Sequence, residues 1–119
     1  IVTIMNYEQL EEKVKQWAAD KGILDKATAL TQLSKTQEEL DETHEALLLL
    51  DSCKDDPNKQ VKRSEALAEV EDGIGDMLVT IIILSELAGL NSVGCLESAY
   101  NVIKTRTGKM ENGVFVKDD

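Results

Sequence analysis

The sequence predicts an all-α fold, and three observations carry that prediction. Apolar residues recur at helical spacing, as at Leu10, Val14, Trp17 and Ala18. Proline occurs once, and the alternation expected of half-buried strands is scarce. Capping residues and glycine stops bracket four segments. With 119 residues the chain has enough length for one compact domain and too little for two. The expected domain is 1–119, with a core over about 6–109 and a C-terminal arm over 110–119.

Aromatic residues make up only 3% of the chain, so Leu, Ile, Val and Ala must build the core. The net charge of −10 disfavours nucleic acid as a partner, because phosphate binding needs a basic face. The same charge suits a bound cation. Cys53 and Cys95 have no CxxC spacing and no histidine cluster beside them, which argues against zinc. Both read as small hydrophobes or free thiols in a reducing cytoplasm. The apolar start Ile1–Met5 is too short for a signal peptide and lacks a basic beginning. The run Met77–Leu84 falls far below the roughly 20 residues that span a bilayer. A cytoplasmic protein without a membrane partner is the expectation.

The first helix should begin at Asn6, with Gln9 completing a capping box and Gly22 marking the stop. Trp17 reads either as a core anchor or as a ring that stacks on a nucleobase. Residues Gly22–Thr28 form a short connection, and Thr28 caps a second helix expected from Ala29 to Leu50. Its inward stripe is Leu30, Leu33, Thr36 (or Gln37), Leu40, Leu47 and Leu50. Asp51–Lys62 is polar, holds Pro57-Asn58 and reads as the longest loop. The third helix should start at Arg63 or Ser64 and run to Gly89. Its Met77–Leu84 stretch is apolar on every side, and one domain of this size covers only part of it. A partner subunit is therefore expected. Asn91 or Ser92 caps the fourth helix, with Leu96, Ala99, Tyr100 and Ile103 facing inward. Asn101, Lys104 and Arg106 close it, either complementing the helix dipole or binding phosphate. Asn112-Gly113 signals a turn in a tail expected to lie on the bundle as an extended arm.

Two acidic clusters stand out. Glu38, Glu39 and Glu42 lie within the second helix, and Asp72 and Asp76 open the apolar part of the third. Residues three and four apart share a helical face. Packed side by side, the two helices would bring four or five carboxylates together. Crowded carboxylates resist full ionisation, and a hard divalent cation removes that penalty. The plainer reading is two solvated helix faces. Lys35, one turn before the first cluster, reads as a salt-bridge partner or a phosphate ligand. His44, about 200° around the helix from Glu42, is on the wrong face to join it. Gly73 and Gly75 cost about 1 kcal/mol each inside a helix. They mark either close helix packing or room for a phosphate beside the carboxylates.

Glu38-Glu39-x-x-Glu42, followed by Gly75-Asp76 entering an apolar helix, resembles the MazG-like nucleoside triphosphate pyrophosphohydrolases of the all-α NTP pyrophosphatase superfamily. Gln16-Trp17-Ala18, Leu33-Ser34-Lys35, Gly75-Asp76-Met77-Leu78 and Asn101-x-x-Lys104 also look like the family pattern. The resemblance covers Tyr7 to Lys109. One position departs: the family's second motif is Glu-x-x-Asp, and Gly73 stands where the Glu would be. Asp72 is the nearest substitute, and Glu69 a weaker one a further turn away.

The resemblance implies a four-helix-bundle-type fold packed within a homodimer or homotetramer. It implies hydrolysis of a (deoxy)nucleoside triphosphate to the monophosphate and pyrophosphate with Mg²⁺, or Mn²⁺ in its place. Glu39, Glu42, Asp76 and Asp72 would be the metal ligands, and Glu38 would orient or deprotonate the attacking water. Asn101 and Lys104 would hold phosphate or sugar oxygens, with Lys35 and Arg106 assisting, and Trp17 would stack on the base. Two other classes stay open. A non-catalytic helical interaction module would account for the apolar third helix. A di-iron carboxylate bundle would need paired Glu-x-x-His motifs, and this chain has a single histidine.

Overall fold

A computed structural model describes residues 4–119; the first three residues of the apolar Ile1–Met5 start lie outside it. The protein is mostly helical. The elements in chain order are α1 (Tyr7–Asp20), a one-turn α2 (Ile23–Lys26), α3 (Ala29–Cys53), a 3-10 turn (Pro57–Lys59), α4 (Gln60–Leu87) and α5 (Ser92–Ile103). A hairpin of β1 (Gly108–Glu111) and β2 (Val114–Lys117) follows.

The helix ends follow local chemistry. Asn6 and Gln9 form the expected capping box of α1. Thr28 makes one with Thr31 at α3. Asn91 caps α5 through the Gly94 N–H. At the end of α4, Gly89 adopts φ +77°, the Gly89 N–H donates to the Glu86 carbonyl and the Leu90 N–H to the Ser85 carbonyl. This is a Schellman stop, which an L side chain at position 89 would strain. The chain then bends by 99° into α5.

Three boundaries differ from the sequence reading. The connection expected over Asp51–Lys62 is much shorter, because α3 runs on to Cys53 and α4 already starts at Gln60. Asp56 accepts from the Asn58 N–H, and Pro57 opens a 3-10 turn that leads directly into α4. The Gly22–Thr28 connection contains the single turn of α2. The tail is a hairpin closed by Asn112 and Gly113, both at positive φ, and its strands are exposed throughout rather than laid on the helices.

The core is also built differently. α3 and α4 pack antiparallel along most of their length. Gln32, Thr36, Glu39, Thr43, Ala46, Leu50 and Cys53 on α3 form one shielded row, and Ala66, Val70, Gly73, Met77, Thr80, Leu84 and Leu87 on α4 form another; Ala29, Val79, Ile82, Ile83 and Ser85 are shielded outside these rows. Both sets step by four and three in alternation, the spacing of a coiled-coil seam. The seam is small and polar for much of its length. Only Thr36 and Leu50 of the expected stripe belong to it. Leu33, Leu40 and Leu47 lie one residue past the seam and are exposed, as are Leu67, Ile74 and Ile81 on α4, each at 39% or more. In an antiparallel pair these positions fall on one side, so both helices contribute to a single bare apolar face. The opposite side carries the acidic residues, and there α1 packs against α4 with Ala18 fully buried. Leu10 and Trp17 of α1 and Leu96, Tyr100 and Ile103 of α5, all expected inside, are exposed.

α5 is held by its first turn. The Glu11 carboxylate, 2% exposed, accepts from the Ser92 hydroxyl, from Asn91 Nδ2 at 3.1 Å and from the Val93 N–H at 3.3 Å. Lys15 Nζ stands 3.8 Å from Glu11 and 3.4 Å from Glu86. Burial pushes the Glu11 carboxyl up, but the Ser92 hydroxyl, Lys15, the Val93 N–H and Asn91 together hold it below its ordinary value.

The accessible surface is 9187 Å², against about 6,400 Å² for a typical folded chain of this mass. The radius of gyration is 17.6 Å, against about 13.5 Å for a compact domain of this length. Among the described residues no single helix is long and apolar enough to cross a membrane.

The two α4 glycines should respond oppositely to alanine. A Cβ at Gly73 would collide with the Thr43 side chain, meeting Cβ at 3.1 Å and Cγ2 at 3.3 Å, whereas a Cβ at Gly75 meets nothing within 4 Å. Gly73→Ala should lower the stability by about 1–3 kcal/mol through overpacking. Gly75→Ala should raise it by up to about 1 kcal/mol through helix propensity. Urea midpoints followed by circular dichroism read both, and a stabilising Gly73→Ala would contradict the packing described.

Candidate functional site

Glu39 occupies a seam position on α3, so its carboxylate is drawn between the helices and its side chain is only 12% exposed. Oε1 has Lys35 Nζ at 3.9 Å. Oε2 is enclosed and has no hydrogen-bond partner, the only buried side-chain polar atom so placed among the described residues. An unpaired buried acceptor is costly and rare. Burial pushes the Glu39 carboxyl above its ordinary value, the neighbouring Glu42 and Asp76 carboxylates push it further, and a hydrogen bond shared with the Glu42 carboxyl when one of the two is protonated adds to this. Lys35 offsets part of this.

Lys35 is mainly committed elsewhere, with Nζ 3.0 Å from Glu38 Oε2. That contact, more than Glu39, raises the Lys35 ammonium above its ordinary value. Glu38 is well exposed, with 64% of its side chain in solvent.

Asp76 stands where three cavities meet. The first, about 370 Å³, is a cleft between α3 and α4 lined by Glu42, Glu45, Glu69, Asp72 and Asp76, with Gly73 and Ala46 as its apolar floor. The second, about 480 Å³, is lined by the charged Lys35, Glu39 and Asp76, the apolar Trp17, Ile23, Val79 and Ile83, and the polar Thr31, Gln32 and Thr80. The third, about 330 Å³, is bounded by Leu10, Lys13, Val14 and Trp17 of α1 and by Asp76 and Val79 of α4.

The two acidic clusters therefore approach each other through Glu39, Glu42 and Asp76, while Asp72 joins Glu42 and Asp76 from the cleft side. They do not form a finished metal cage. Among the described residues, no group of three or more His, Cys, Asp and Glu is placed so that it could hold a metal ion. The sequence-predicted residues at the end of α5 stay apart as well. Asn101, Lys104 and Arg106 are exposed, and none of these three cavities includes them or Glu38. Trp17 is half-exposed and lines two of the cavities, so it is a wall residue and not a core anchor. His44 is exposed.

Several residues of the site escaped the sequence reading. Gln32 lies seven residues before Glu39, two turns back on the same seam, a spacing that was available but carries no acidic signal. Glu45 follows Glu42 by three. Glu69, read from the sequence only as a weaker substitute for the family's glutamate, lines the acidic cleft with Asp72 and Asp76. Gly73, the departure from the Glu-x-x-Asp pattern, is explained by contact: Thr43 fills the space a side chain would need. Thr43 is pinned there, its hydroxyl donating to the Glu39 carbonyl at 2.7 Å.

Compared with known proteins, the chain matches no family model, no curated protein and no solved structure.

Glu39 should be a stability liability in the protein without a cation. A folded-state carboxyl raised above its unfolded value costs nothing below the ordinary carboxylate range. The cost sets in as pH rises out of that range and levels off above the raised value. Glu39→Gln should therefore stabilise the cation-free protein at pH 7. The gain should vanish near pH 4. Urea denaturation at the two pH values checks it, and an equal effect at both would place the cause outside ionisation.

Proposed function

We propose that the chain hydrolyses nucleoside triphosphates to the monophosphate and pyrophosphate with a divalent cation, as the MazG-like resemblance implies. One observation carries the proposal: the enclosed, partnerless Oε2 of Glu39, crowded by Glu42 and Asp76 at the mouth of a cavity walled by Trp17. A solvated helix face has no reason to bury an acceptor without a donor. A hard cation is the partner that the oxygen donors of this group suit.

Mg²⁺ would be held by Glu39, Glu42 and Asp76 once their carboxylates draw closer than they stand in this arrangement, with Asp72 offering a further oxygen from the adjoining cleft. When bound, it supplies neutralisation of the triphosphate oxygens and a more acidic water. The remaining work belongs to the chain. Trp17 presents its ring to a base along the apolar wall. Lys35 stands between Glu39 and Glu38, close enough to exchange its salt bridge for a phosphate oxygen. Glu38, freed from Lys35, is the group that orients or deprotonates the attacking water. Asn101, Lys104 and Arg106 serve phosphate or sugar oxygens only if brought to the cleft from another copy of the chain.

A homodimer or homotetramer with a four-helix bundle at its centre is part of the same proposal. The apolar side shared by α3 and α4 is bare, and the surface exceeds that of a typical chain of this mass by about 2,800 Å². Standard stable interfaces bury about 800 Å² on each partner, so the excess of one chain is more than one such interface covers and suits the larger interfaces of obligate homo-oligomers. The bare face also favours a second reading, a helical module that binds a partner without catalysis. That reading leaves the buried oxygen of Glu39 unexplained.

Pyrophosphate release from a panel of triphosphates with and without Mg²⁺ tests the activity. Glu39→Gln or Asp76→Asn should lower it by about 10²–10³-fold or more with the helical spectrum unchanged. Full activity in either variant would remove that residue from the ligand set. Asp72→Asn should weaken Mg²⁺ binding, and unchanged affinity would show that Asp72 is no ligand.

Light scattering tests the assembly. Leu40→Asp with Ile74→Asp should turn an oligomer into a monomer, and a wild-type monomer would end the bundle proposal.

A further inference from the structure

The 480 Å³ cavity is lined by a group that the proposed chemistry does not use. Gln32 is 7% exposed, and its Nε2 donates to the Thr80 carbonyl of α4 at 3.4 Å. That contact fixes the amide. A carbonyl can only accept, so the nitrogen must face it, and a flipped amide would set two oxygens against each other in a buried place. Oε1 accepts from no donor among the described residues, nor is it an enclosed orphan, since Glu39 Oε2 is the only atom of that kind. The cavity thus presents a fixed acceptor, in a wall otherwise made of Trp17, Ile23, Val79 and Ile83.

Its position along the cavity has meaning. Gln32 and Glu39 share the seam face of α3 two turns apart, about 10 Å along the axis. A nucleotide whose phosphates lie at Lys35, Glu39 and Asp76 directs its base toward Trp17 and Gln32. In a pyrimidine the ring atom opposite the glycosidic bond is C4, and its substituent reaches farthest from the sugar. Cytosine carries an amino donor there, and uracil and thymine carry a keto acceptor.

We infer that Gln32 is a specificity-determining residue, whose Oε1 accepts from the exocyclic amino group of a nucleotide base, so that among pyrimidines it favours cytosine over the keto group of uracil or thymine. This rests on the triphosphate reading for which ligand enters, but not on catalysis. Discrimination by a site hydrogen bond is effective because the wrong ligand leaves a buried polar group unpaired.

Trp17 is the single tryptophan and lines the same cavity, so its fluorescence reports binding without turnover. Titration of the full chain should show dCMP binding about ten-fold more tightly than dUMP. N4,N4-dimethyl-dCMP, which keeps the ring and loses the donor, should fall to the dUMP level. Gln32→Met should bring dCMP and dUMP within about two-fold. The dimethyl analogue carries the test on wild-type protein if Gln32→Met fails to fold. Equal or reversed affinities in the wild type, an unimpaired dimethyl analogue, a ratio that survives in folded Gln32→Met, or no quenching by either nucleotide would each overturn the inference. Discrimination without pyrophosphate release from dCTP would keep Gln32 in this role and end the hydrolase proposal. Pyrophosphate release without discrimination would do the reverse.

Discussion

The approach of α3 to α4 is the constraint on which the rest depends. Gly73 lies against Thr43, and Ala46 and Ala66 are buried in the same seam. Small residues let the two backbones come close, at the expense of the apolar area that large side chains would bury. A seam this narrow also draws in whatever stands at its remaining positions. Glu39 is one of them, which is how a carboxylate comes to be enclosed between helices instead of lying on a solvated face.

That placement sets the electrostatics of the site. Glu42 and Asp76 flank the same space, and Lys35, the cation that pairs with Glu39, is held mainly by exposed Glu38. The result is a concentration of negative charge with one unsatisfied oxygen. On the acidic side α1 packs against α4, and its Trp17 walls two of the cavities beside Asp76, while the cleft lined by Glu42, Glu69 and Asp72 stays open. The opposite side is left bare. One antiparallel pair thus has a charged flank bearing the candidate site and an apolar flank with no cover of its own, a division already present in the two positions that border the seam.

The connection of α5 to this core is polar. Glu11 reaches from α1 to the first turn of α5, where three donors and the positive end of the helix receive it. Past that turn, α5 and the hairpin project with Leu96, Tyr100, Ile103 and Phe115 exposed. The surplus surface of the chain comes from this projection and from the bare flank together. Asn101, Lys104 and Arg106 are carried on the projecting part, which is why they stand away from the carboxylates they were expected to serve.

The sequence by itself determined the helices, most of their ends and the turn of the hairpin. Capping at Asn6, Thr28 and Asn91, the stop at Gly89 and the Asn112-Gly113 turn are settled by groups a few residues apart, so local chemistry suffices. It also brought out Glu39, Glu42, Asp72 and Asp76, because spacing along a helix defines a face. Which face turns inward was decided by the tertiary structure alone. Hydrophobicity favoured Leu33, Leu40 and Leu47, yet the seam formed one residue earlier, through Gln32, Glu39 and Ala46. A one-residue shift is about 100° of rotation, and no local interaction penalises it. Only the fit of one helix against another, with Thr43 in the space that Gly73 leaves, selects between the two.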